Sequence, residues 1–207
     1  MTLLRPRRKS MMPSYSTRIS ALLLLMITAV GGCLMAPLSV PIAYQPESNV
    51  TPVPGASSVR VHVVSEDQRA NTTTVGQYDQ QSVTTSNNVG DTARDAVQSE
   101  LRARGFVIDN GPASTEVRLQ VEKLSGHFLS SLFYSSYTAE LIMHVEVERP
   151  GKVIAYSQSF DVTETTHPAV FGSVSKDFGD ALSGALEQAV GKLFNDPAFI
   201  HALIAKP

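Results

Sequence analysis

Few residues in this 207-residue chain are placed to do chemistry, and the setting that stands out belongs to Cys33, the only cysteine. It ends the apolar run Ala21 to Cys33, in the tetrad Val30-Gly31-Gly32-Cys33. A basic leader, a short apolar core and small residues before a break are the physical marks of a secretory signal peptide. One cysteine cannot form an internal disulfide, so an oxidising compartment adds no staple to the fold. His62, His127, His144, His167 and His201 lie far apart, and no H-x-x-x-H spacing brings two imidazoles onto one helical face, so no metal site is expected. There is no G-x-S-x-G elbow, no S-x-x-K in an acylating context and no glycine-rich phosphate loop. The reading therefore contains no catalytic residue and no cofactor, although carboxylate pairs leave no local signature.

Two further constellations have site character. The charged triplet Asp67-Gln68-Arg69 falls at the end of an apparent strand, where the simple expectation is a turn in which Asp67 caps backbone amides and Arg69 pairs with a neighbour. The segment Gly126 to Tyr137 sets Phe128, Leu129, Leu132, Phe133, Tyr134 and Tyr137 among serines. As a loop tip it is a candidate partner-contact patch, since contiguous exposed apolar surface marks protein or membrane contact. Alternatively, the flanking strands extend and bury these side chains under the carboxy-terminal helix.

The elements that carry these residues begin with a leader holding Arg5, Arg7, Arg8, Lys9 and Arg18 and no acid. Its apolar stretch falls short of the ~20 residues of a spanning helix. Cleavage before Cys33 assigns residues 1–32 to the signal peptide and leaves 12 basic against 19 acidic residues, a net charge of −7. Nucleic acid is excluded as a partner, because phosphate binding needs a basic stripe and the remaining lysines and arginines are scattered. Residues 33–57, with Pro37, Pro41, Pro46, Pro52 and Pro54, read as a disordered tether spanning roughly 25 to 30 Å.

Residues 58–207 read as the domain. Val59, Val61 and Val63 alternate as in a strand, and 70–81 is a polar excursion before a short strand at 82–85. Asn88 caps a helix whose apolar stripe runs from Val89 to Leu101, and Gly105 ends it. After a short strand at 106–108, alternation over Val117 to Val121, Ala139 to Val147 and Ile154 to Val162 marks long strands, the last two joined as an antiparallel hairpin at Pro150-Gly151. The strongest helical stripe covers 175–195, and a short helix from Pro197 to Ile204 closes the domain. The fold class expected is α+β, a mainly antiparallel sheet of about four to five strands packed against two amphipathic helices.

The tetrad at Cys33 resembles the bacterial lipobox, which implies lipidation of the cysteine sulfur. The whole chain resembles the YajG-like family of bacterial outer-membrane lipoproteins. The resemblance rests on V-S-E-D-Q-R at Val64 to Arg69, L-R-A-R-G-F at Leu101 to Phe106, V-R-L-Q-V-E-K-L at Val117 to Leu124 and D-P-A-F-I-H-A-L at Asp196 to Leu203. It implies a lipid-anchored protein; Leu34 rather than aspartate after the cysteine implies the outer membrane's periplasmic leaflet. The function expected is non-catalytic binding of an envelope protein or cell-wall partner, with no cofactor and the oligomeric state open. The alternative is a peptidoglycan- or lipid-processing enzyme, which predicts Asp67, Arg69, His62 and Glu164 gathered in a deep cleft.

Overall fold

Period-two alternation builds the centre of this molecule, and one long strand organises the rest. The computed structural model describes residues 36–111, 115–130, 135–167 and 173–205. In chain order the strands are β1 (Leu38–Val40), β2 (Arg60–Asp67), β3 (Thr74–Tyr78), β4 (Gln81–Thr85), β5 (Val107–Ile108), β6 (Thr115–Ser130), β7 (Ser135–Arg149) and β8 (Val153–Thr166). The helices are α1 (Val89–Ala103), α2 (Val174–Asn195) and α3 (Pro197–Ile204), with a 3-10 turn at Ala56–Ser58.

β6 is the hub. It runs antiparallel to β7 from Glu116↔Glu148 to Ser130↔Ser135, and β7 is antiparallel to β8 in turn. On its other side β6 pairs in parallel first with β2, from Val61↔Thr115 to Asp67↔Val121, and then with β3 at Gly76↔Gly126. β5 adds to β2 in parallel, β4 pairs antiparallel with β3, and β1 pairs in parallel with β4. The handover from β2 to β3 coincides with a register shift in β6 between Val121 and Lys123. An extra residue there moves the buried face from Val117, Leu119 and Val121 to Leu124 and Gly126.

The helices cover the face those residues define. α1 packs on β2 and β6, α2 on β6, β7 and β8, and α3 on β7 and β8. Asn88 caps α1 by accepting from the Asp91 amide at 2.9 Å, and Asp196 caps α3 by accepting from Ala198 at 2.8 Å. Val97 and Leu101 of α1, Phe178 and Leu182 of α2 and Phe199 of α3 meet Leu119, Leu141 and Met143 of the sheet in one core. The alternating residues, among them Glu116, Arg118, Gln120, His144 and Glu146, face away from the helices.

The fold class differs from the expectation of a four-to-five-strand, mainly antiparallel sheet with two helices: the sheet is mixed, with eight strands, and three α-helices pack on it. Three physical reasons account for it. The stretch read as a disordered tether supplies β1 and buries Val40, Ile42 and Ala56. The polar excursion holds β3, whose glycine and glutamine hide its alternation. Parallel pairing of β2 with β5 and β6 follows from the intervening segment, which returns the chain through α1, and such long-range pairing has no local signal. Ile154, expected on the buried face of the last strand, is exposed, because the register shifts between Val147 and Glu148.

Candidate functional site

The face without helices carries a hollow of about 770 Å³ where β3, β4, β6 and β7 meet. Its walls are Thr74 and Gln77 of β3, Ser82 of β4, Ser125 and His127 of β6 and Thr138 of β7, with Leu129 at the rim. The backbones of Gly76 and Gly126 form part of the lining. Both glycines are required by close approach from behind. A Cβ at Gly126 would fall 2.3 Å from Cε1 of Phe178, and one at Gly76 would fall 2.4 Å from the Gly126 carbonyl oxygen. The Phe178 ring of α2 therefore fills the space that side chains would take. Among the described residues, Ser125 Oγ is buried without a hydrogen-bond partner, a cost of about 1–3 kcal/mol.

The lining combines apolar surface, from Phe128 and Leu129 among others, with hydroxyl and amide groups and one imidazole. His127 supplies that imidazole, and the walls hold no carboxylate to pair with it and activate water. What the arrangement supplies is a shallow, largely apolar concavity with a few hydrogen-bonding groups set in it. No group of three or more His, Cys, Asp or Glu residues able to hold a metal exists among the described residues.

The residues that an enzyme reading would gather do not meet. Asp67 and Arg69 close on each other: Arg69 Nε donates to Asp67 Oδ1 at 2.8 Å and Nη2 to Oδ2 at 2.7 Å, and Nη2 also reaches the Thr72 carbonyl at 3.0 Å. That guanidinium holds the Asp67 carboxyl below its ordinary range through its hydrogen bond, against the opposing effect of burial. Gln68 donates its amide to the Val121 carbonyl at 2.9 Å, so the triplet is the hinge pin of the β2-to-β3 step opposite the register shift. His62 lies 3.7 Å from Glu116, and Glu164 is hydrogen-bonded to Gln188 of α2.

The aromatic segment divides. Phe128 stacks 4.7 Å from Tyr78 and 4.9 Å from Tyr137, and Tyr137 is buried 5.7 Å from Phe178; Tyr137 therefore belongs to the core beneath α2, while Phe128 is half-buried against that core and also lines the hollow. Leu129 points the other way and is 61% exposed. Leu132, Phe133 and Tyr134 lie outside the described residues, as do Val30, Gly31, Gly32 and Cys33.

A family model for uncharacterised lipoproteins, Lipoprotein_16, matches residues 46–204. The chain belongs to this family. The YajG-type resemblance read from the motifs is thereby shown. Among solved structures, the lipoprotein resembles protein XCC0632 from Xanthomonas campestris at 13% identity and a TM-score of 0.51, covering 75% of this chain and 92% of that one. It also resembles a minor lipoprotein from Acinetobacter baumannii at 9% identity and a TM-score of 0.44, covering 72% and 96%. No curated protein matched the chain in sequence.

The lipoprotein's L-R-A-R-G-F motif has a structural explanation that the sequence reading missed. Arg104 is ion-paired to Glu100 one turn earlier, its guanidinium lies 4.3 Å from the Phe194 ring centroid, and its carbonyl accepts from Val53 at 3.0 Å. Glu100, 1% exposed, also accepts from the Tyr44 hydroxyl at 2.6 Å and the Glu47 amide at 3.1 Å. Burial raises its carboxyl pKa, but these donors and Arg104 outweigh burial and set it below the ordinary value. Burial and the bond to Glu100 push the Tyr44 phenol far up. The pair fastens the amino-terminal arm to α1. The available signal was the i, i+4 spacing of Glu100 and Arg104.

Proposed function

We propose that the lipoprotein loses residues 1–32, is anchored by lipid on Cys33 in the periplasmic leaflet of the outer membrane, and acts there as a non-catalytic binding module for an envelope protein or cell-wall fragment. Membership of a lipoprotein family supports the anchor. The observation that carries the binding role is the hollow on the helix-free face, where the apolar surface of Phe128 and Leu129 is joined by the hydroxyl, amide and imidazole groups of Ser82, Gln77 and His127, with no carboxylate among its walls.

A photoreactive amino acid at Gln77, inside the hollow, tests the reading in intact cells. The expected result is a discrete adduct, identified by mass spectrometry as an envelope protein or cell-wall fragment, that a probe at the exposed turn residue Lys152 does not give. The same adducts from both positions, or none from Gln77, would refute the assignment of the hollow.

A further inference from the structure

We infer that the end of the sheet at which β1 begins, with the exposed Leu129 near the end of β6, lies against the lipid leaflet that holds the anchor, so that the domain sits on the membrane in one orientation. The inference rests on the Cys33 anchor proposed above and adds to it a surface and a direction. It begins from chain length. Leu38, the first residue of β1, is five residues after Cys33. A fully extended chain advances at most ~3.6 Å per residue, so the two Cα atoms lie within about 18 Å whatever the intervening residues do. That is shorter than the roughly 25–30 Å expected of a tether running to residue 57.

The entry point is also fixed. Val40 is completely buried, Ser175 Oγ of α2 donates to the Ser39 carbonyl at 3.0 Å, and the absence of a side chain at Gly179 admits the Pro41 carbonyl, which lies 2.8 Å from where its Cβ would stand. Neither β1 nor the arm behind it is free to swing.

Register then gives direction. Leu38 pairs with Val83, Val83 with Gly76, and Gly76 with Gly126, which places all four at one level of the sheet. β1 runs parallel to β4, β4 antiparallel to β3, and β3 parallel to β6. Residues 36 and 37, just before Leu38, therefore lie on the side toward which β6 ends. Leu129 stands three residues past Gly126 in that same direction, about 10 Å farther, and three strand spacings to the side, about 14 Å. Its exposed side chain thus falls among the lipids that surround the anchor.

The experiment uses the full lipoprotein in phosphatidylethanolamine–phosphatidylglycerol vesicles containing a headgroup-labelled quencher lipid. A thiol-linked fluorophore is placed by Leu129→Cys or, at the exposed far end of β8, by Val153→Cys; a lipidated Cys33 leaves no competing thiol. Quenching of at least about twofold is expected at 129, as for a side chain about 5–10 Å into the headgroup boundary. None is expected at 153, since Arg149, its partner in β7, is thirteen residues from Ser136, the partner of Leu129, or about 43 Å along β7. A co-floating protein with no quenching at 129, or equal quenching at both positions, overturns the orientation while the anchor stands. Failure to co-float overturns the anchor and the orientation with it.

Discussion

A carboxylate that is 1% exposed persists in a core only where partners replace water, and Glu100 has three: Arg104, the Tyr44 hydroxyl and the Glu47 amide. Breaking such a pair leaves the other charge buried, at a cost of about 3–5 kcal/mol. Glu100→Gln should therefore lower stability by about 3 kcal/mol at pH 7 in urea unfolding. Its pH dependence has a definite sign. The carboxyls of Glu100 and Asp67 both titrate below their unfolded values of about 4, so their contribution is complete above roughly pH 5 and is lost as pH falls through the folded values. The wild type should lose stability between pH 5 and pH 3, and Glu100→Gln should lose less over that interval; parallel slopes would contradict the role given to Glu100. At this scale the helix cap at Asn88 and the turn at Gly105 were legible, because both are local. The burial of Glu100 was not, since it depends on Tyr44 arriving from 56 residues away.

The elements were legible where alternation or helical spacing was strong, as in β6, β7, β8 and α2. They were illegible where composition obscured the period: β1 is three residues flanked by prolines, and β3 carries Gly76. That glycine and Gly126 are best understood as the seat of Phe178, which locks α2 to the sheet behind the hollow. Gly126→Ala should force the ring to move and lower stability by about 1–3 kcal/mol. Gly191→Ala, in α2 itself but with nothing within 4 Å of its added Cβ, should raise it by up to about 1 kcal/mol. Thermal or urea denaturation of the two variants checks the contrast, and equal effects would mean that helix propensity alone sets the outcome. The hollow itself left no motif, because its walls come from four strands joined by register.

At the scale of the molecule, membership of a lipoprotein family was legible in the motifs, while the arm read as a disordered tether after Cys33 is ordered against the domain from Pro37 onward. Lipid at Cys33 is what would bring Leu129 to a bilayer and fix the proposed location. Two of the observations are independent of that premise, namely the hollow and the clamp at Glu100, and they stand whichever membrane receives the protein. The most direct test is incorporation of labelled palmitate in growing cells by the wild type and by Cys33→Ala. Label in the wild type and none in the variant is the expected result, and equal labelling of both would contradict the account.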